Sequence, residues 1–290
     1  MPINQADTTT LPGAVRINVI MRYLLVLVSV VLFSCARTAP ETDMLLPPLE
    51  PWQEQSVVVA DTLVPAKVDE PKKENPVFKN WSAGVLLTEA EVADFGEERC
   101  FASSEIPDDV FSRMTGKSFP EDCTVSRDSL RYLKVLHYNL QGEILTGELV
   151  CNHLIASDLC DVFRELFQKQ YPIEKIRLID DYDADDEASM TDNNTSCFCF
   201  RALAGAKQLS MHALGMAVDV NPLYNPYVRD RNGVMHIQPL AGEPYSDRSL
   251  SFDYKIQYGD ECQRTFRKYG FFWGGLWPDY KDYQHFYTVR

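Results

Sequence analysis

The sequence predicts an α+β domain behind an export signal and an extended linker. Three observations carry that reading. From about Asn80 onward, helical and strand-like apolar patterns are intermixed, with neither the strand–helix–strand rhythm of a doubly wound fold nor a glycine fingerprint. The first 35 residues centre on one short apolar run. The stretch that follows, to residue 78, is proline-rich and has no glycine.

The apolar run Leu24–Phe33 (LLVLVSVVLF) follows Arg22 and leads into Ser34-Cys35. A membrane-spanning helix needs about 20 apolar residues, so a run half that long behind a positive charge predicts a secretory signal over residues 1–35. Leu32-Phe33-Ser34-Cys35 resembles a bacterial lipoprotein cleavage box, in which Cys35 would be acylated and become the first mature residue. A plain signal cut near Ala36 or Ala39 is the alternative. Met21 begins a better-shaped signal than Met1 does. The expectation is an exported protein of the cell envelope, lipid-anchored in the periplasm or outer membrane.

In residues 36–78, Pro40, Pro47, Pro48, Pro51, Pro65, Pro71 and Pro76 oppose any long helix and favour extended chain. At about 3.1 Å per residue such a stalk spans on the order of 100 Å. The rest, 79–290, has the length of one domain, with the expected core at 146–290. Within it, residues 128–138 place Leu130, Leu133, Leu136 and His137 at helical spacing. Residues 146–155 read as a strand. Residues 158–170 read as a helix, with Asp158 near its start and Pro172 past its end. Residues 173–179 alternate as a second strand. The acidic run 180–187 lacks the glycine and glutamate positions of a calcium loop and reads as a solvated loop.

The whole chain has 290 residues, 45% of them apolar and 24% charged, which is globular composition. Its net charge of −14 argues against a nucleic-acid partner bound through a broad basic surface. Eight cysteines point weakly to an oxidising compartment. With Cys35 assigned to lipid, the remainder is odd in number, so at least one thiol is free, and spacing does not give the pairing.

Polar groups concentrate inside apolar surroundings in three segments: 193–201 (NNTSCFCFR), 210–222 (SMHALGMAVDVNP) and 272–286 (FWGGLWPDYKDYQHF). Asp219 lies in a strand-like run whose neighbours favour burial, so its carboxylate needs a partner. His212 precedes it by an odd separation, which an unbroken strand would place on the opposite face; Gly215 offers a bend between them. His285 sits in another apolar run, three residues after Asp282. Two histidines and one aspartate, with a spare carboxylate, match an open zinc site: three ligands, a free position for water, and a base to take the proton. Each element alone is weak, because isolated histidines are more often core or surface residues. Trp273 and Trp277 read as core packing, with stacking on substrate as the alternative.

Together, Ser-x-His-x-x-Gly-x-Ala-x-Asp-x-Asn-Pro, Trp-Gly-Gly-x-Trp and Asp-Tyr-x-His-Phe resemble the D-alanyl-D-alanine carboxypeptidase/VanY-type zinc peptidases, a family that includes L-alanyl-D-glutamate endopeptidases. The likeness covers most of 146–290, including the Asn-Asn-Thr-Ser segment and Asn225-Pro226-Tyr227. It implies a small α+β fold like that of hedgehog signalling domains, an antiparallel sheet with flanking helices. By the same resemblance, His212, Asp219 and His285 are the zinc ligands and Asp282 is the general base. Arg201 holds the substrate carbonyl as it becomes an oxyanion, and Ser210 contacts substrate. Cys197 and Cys199 depart from the small or polar residues expected around Phe198. An alternative role for Arg201 is a salt bridge to the acidic run. The implied substrate is the peptidoglycan stem peptide, cut as a carboxypeptidase or an endopeptidase. The rival from another class is a non-catalytic wall-binding lipoprotein that keeps the fold.

Overall fold

A computed structural model describes residues 76–201 and 209–290. The expected signal, the cleavage box with Cys35 and nearly all of the linker lie outside the described residues. The described residues include the last three positions of the expected linker. Helix α1 (Pro76–Lys79) buries Phe78, whose ring stacks on Phe95 with centroids 3.8 Å apart. Proline at the first helical position loses no intrahelical bond, so Pro76 starts this turn although it reads as a linker residue.

Strand β1 (Leu86–Leu87) leads into helix α2 (Glu89–Phe95). Thr88 and Glu91 form a reciprocal capping box at its start. Next come β2 (Ala102–Ser104), α3 (Asp108–Met114), β3 (Leu130–Tyr138) and β4 (Ile144–Asn152). The strands form an antiparallel sheet in the order β1-β4-β3-β2.

Strand β3 corrects the helix expected over 128–138. It is covered on both faces, so its apolar residues form a nearly continuous run that periodicity does not assign to helix or strand. Val135 and two tyrosines favour the strand. The hairpin after it settles the matter: Asn139 Oδ1 accepts from the amides of Gln141 and Glu143, and Gly142 takes φ 75°.

Helix α4 (Ala156–Gln168) covers the sheet with Leu159, Val162, Phe163 and Leu166, close to the expected helix. It ends through Gln170 at φ 51°, ahead of Pro172. The strand expected over 173–179 shrinks to β5 (Lys175–Ile176), which pairs in parallel with β6 (Asn194–Thr195). Helix α5 (Asp186–Thr191) lies between them and is capped by Asp185. The acidic run is therefore more ordered than a solvated loop. Asp180 is buried, and its Oδ1 accepts from Ser118 N at 3.0 Å.

The remaining elements are β7 (Ala217–Asp219), β8 (Tyr227–Arg231), β9 (Val234–Gln238), α6 (Glu261–Lys268), β10 (Phe272–Trp273), β11 (Lys281–Asp282) and β12 (His285–Tyr287). They build two antiparallel three-stranded sheets, β10-β12-β7 and β11-β8-β9. Phe266 of α6 stacks on Phe286 of β12 at 4.1 Å and meets Phe163 of α4 edge-on. That aromatic core fixes the C-terminal strands against the first sheet. The class is α+β, as expected, with β5–β6 as its parallel pair.

The seven described cysteines are free thiols, and all but Cys123 are buried. Burial pushes the Cys160 thiol up to about 12, so at neutral pH it behaves as a small apolar side chain.

Candidate active site

The pairing of β7 with β12 places Asp219 directly opposite His285. Opposed residues in an antiparallel pair share a face, and here Asp219 Oδ1 lies 2.9 Å from His285 Nδ1. His212 arrives from a tight turn over 211–215. Gly215 closes this turn at φ 66°, and an added Cβ there would sit 2.6 Å from Asn152 N. The bend inferred from Gly215 is thus real, and no larger residue fits. Ser210 Oγ accepts from Ala213 N at 3.0 Å and braces the same turn. Ser210 itself is buried.

The 196–199 segment straps the two halves together. Ser196 and Asp219 exchange both backbone hydrogen bonds, and Cys199 N donates to His212 O. His212 Nδ1 donates to Cys197 O at 2.7 Å, which leaves Nε2 with its lone pair facing inward. Nε2 lies 3.2 Å from Asp219 Oδ2 and 3.1 Å from His285 Nδ1. All three side chains are buried.

These three donor atoms fit a zinc ion. Bonds of about 2.0–2.1 Å in a tetrahedron set neighbouring donors about 3.3 Å apart, close to the observed spacings. Asp219 is held well below the usual carboxylate range: burial opposes this, but His212 and His285 outweigh it. Burial would lower the His212 imidazole, yet Asp219 beside it raises it overall.

Asp282 sits on β11, opposite Tyr227 of β8. Its Oδ1 is buried without a hydrogen-bond partner among the described residues. Burial first, and Asp219 next among the raising causes, lift its carboxyl to about 6 despite the pull of His285. Gly274 makes this approach feasible. An added Cβ there would stand 2.9 Å from Asp282 Cβ and 3.4 Å from His285 Cβ. Gly275 in turn rests on the Trp273 ring, where an added Cβ would clash at 2.3 Å. The paired glycines therefore let base and ligand share one corner.

Arg201 reaches the acidic run: its Nε is 2.6 Å from Asp186 Oδ2. It also lines an open recess with Pro120, Phe200 and Leu209. Asp186 is a residue that sequence reasoning passed over. Burial raises its carboxyl, Arg201 and His212 lower it, and Asp219 raises it, which places it electrostatically beside the candidate ligands. Only its position in an acidic run could have marked it.

Trp273 is core, as expected: it is buried and donates to Tyr283 O. Trp277 is not. It is half-buried, with its ring 5.5 Å from His285, and forms a wall of the site. The motif asparagines are scaffold. Asn221 holds Pro172 O and Glu174 N, and Asn225 holds Asn221 O, Tyr254 O and Ile256 N.

Residues 204–288 match the family model described as D-alanyl-D-alanine carboxypeptidase. The matched segment contains His212, Asp219, Asp282 and His285, and Arg201 lies just ahead of it. Among curated proteins and solved structures, nothing matches. This match supports a peptidase, and the His212–Asp219–His285 cluster is compatible with the metal chemistry of such peptidases.

Proposed function

We propose that this protein is a zinc-dependent peptidase that hydrolyses peptide bonds in peptidoglycan stem peptides, as a D-Ala-D-Ala carboxypeptidase or an L-Ala-D-Glu-type endopeptidase. The observation that carries it is the convergence of His212, Asp219 and His285 beside a buried, unpartnered Asp282 oxygen. When bound by these three residues, zinc supplies a Lewis acid for the scissile carbonyl and lowers the pKa of water to about 7.

The rest belongs to the chain. Asp282 Oδ1 accepts the proton of the attacking water, and its raised pKa suits it to hold that proton and pass it to the leaving amine. Arg201, braced on Asp186, offers its remaining N–H groups to the negative charge that develops on the carbonyl oxygen. Losing one such donor typically costs about 10²–10³ in rate. Cys197 O fixes the His212 tautomer. Export, acylation at Cys35 and the proline-rich linker expected after it form part of the same proposal, because they would bring the site to the wall polymer. No helix of the described residues is long and apolar enough to cross a membrane.

A wall-binding protein without activity would have no use for a base, so Asp282 favours the enzyme. Digestion of purified peptidoglycan, with product masses, tests the reading. Loss of one terminal alanine identifies a carboxypeptidase, and interior fragments identify an endopeptidase. Absence of any product from zinc-loaded protein refutes the proposal and favours the binder.

A further inference from the structure

Arginines in this chain find partners readily, as expected where Asp and Glu number 42 against 28 Lys and Arg. Arg113, Arg127, Arg164, Arg177 and Arg201 each pair with a carboxylate. Arg131 and Arg248 donate to carbonyl oxygens. Among the described residues, Arg229 is the one partly buried arginine with neither an ion pair nor a hydrogen bond. Its contact is with an aromatic face: the guanidinium carbon lies 5.2 Å from the centroid of Tyr280. The adjacent acid, Asp230, points to the other face of β8 and accepts from Gly233 N in the hairpin turn. A half-buried guanidinium stacked on a ring is oriented and partly desolvated, but its charge is uncompensated.

Its position connects it to the candidate active site. Tyr227 of β8 is paired with Asp282 of β11, so both project from one face, and Arg229, two residues along β8, shares it. Continuing the register sets Arg229 opposite Tyr280, in agreement with the observed stacking. Two strand residues cover about 6.6–6.8 Å, so Arg229 is anchored about two extended residues from the position that faces the base. Aromatic rings fill the path between: Tyr280 meets Tyr227 at 5.5 Å and Trp277 at 5.0 Å, and Trp277 meets His285 at 5.5 Å. Burial, Tyr227 and Asp282 push the Tyr280 phenol up while Arg229 pulls it down, which places all four groups in one neighbourhood. His236 of β9 is the cross-strand neighbour of Arg229 and is exposed.

We propose that Arg229, mounted on Tyr280, binds a substrate carboxylate within about two residues of the bond that is cut. This rests on the peptidase reading and deepens it, because it makes an acidic group beside the scissile bond a recognition element. The carboxylate has two possible sources, the chain terminus or an interior acidic residue of the stem.

Equilibrium binding separates these sources and does not depend on turnover. Full-length Asp282→Asn protein, with and without Arg229→Ala or Arg229→Lys, is titrated with three synthetic stem peptides: the free acid, its C-terminal amide, and the form amidated at the interior acid. The intact Arg229 site should bind the free acid on the order of tenfold more tightly than one of the two amides, the scale of one charge-assisted contact. Arg229→Ala should collapse that ratio to about one, and Arg229→Lys should keep part of it. The amide that binds weakly names the carboxylate. Equal binding of all three peptides by the protein with Arg229 intact, or a ratio that survives Arg229→Ala, overturns the inference. An Arg229-dependent ratio, together with zinc-loaded wild-type protein that hydrolyses none of the three peptides, would refute the peptidase reading and leave the Arg229 site standing.

Discussion

Asp282 carries the sharpest claim about any single side chain. Its Oδ1 is buried without a partner, and the Gly274 backbone leaves room for it beside His285. Asp282→Asn keeps shape and volume while removing the base. The variant should retain its metal, measured by elemental analysis, and lose at least about 10²-fold in turnover. Turnover within a factor of two of the wild type would remove Asp282 from the mechanism. The sign of the pH dependence follows from its raised carboxyl. The base must be ionised, so the rate falls as pH drops through its pKa of about 6. A bound cation can only lower that value, so the acid limb should lie at or below pH 6.

Among the elements, β3 shows a side chain joining segments that the sequence does not join. His137 on β3 is buried, and its Nδ1 donates to Ile173 O at 2.6 Å, tying the central strand to the chain just after α4. Burial pushes this imidazole down to about 4, below the usual 6.5. The unfolded chain therefore binds the proton more readily. The stability that His137 contributes is complete above about pH 6.5 and is lost as pH falls to about 4. The loss amounts to about 3 kcal/mol. Thermal melts across this window should show it. His137→Asn, which can still donate to Ile173 O, should flatten the slope. An unchanged slope in that variant would assign the acid sensitivity to other groups.

At the level of the whole molecule, much of the site was legible and less of the fold. His212, Asp219 and His285 stand out because a buried charge demands partners and because their motifs resemble a known family, and the structure brings all three within hydrogen-bonding distance. The Gly215 bend was readable because only a turn could bring His212 and Asp219 to one side. Helix α4 was readable from its one-sided apolar stripe, whereas β3 was not, because a strand covered on both faces has no stripe to read. Arg201 and Asp186 are adjacent only through tertiary structure, so their pairing was at most an open option. The docking of helix α1 depends on Phe78 meeting Phe95, a contact that composition does not reveal.

The proposed mechanism requires that His212, Asp219 and His285 hold a catalytic zinc ion. Elemental analysis of the purified chain and its His212→Ala variant, after dialysis against a weak chelator, tests it most directly. The account predicts about one zinc per wild-type chain and almost none in the variant, since two remaining ligands do not make a closed or catalytic site. Equal zinc in both proteins, or none in the wild type after reloading, would contradict it.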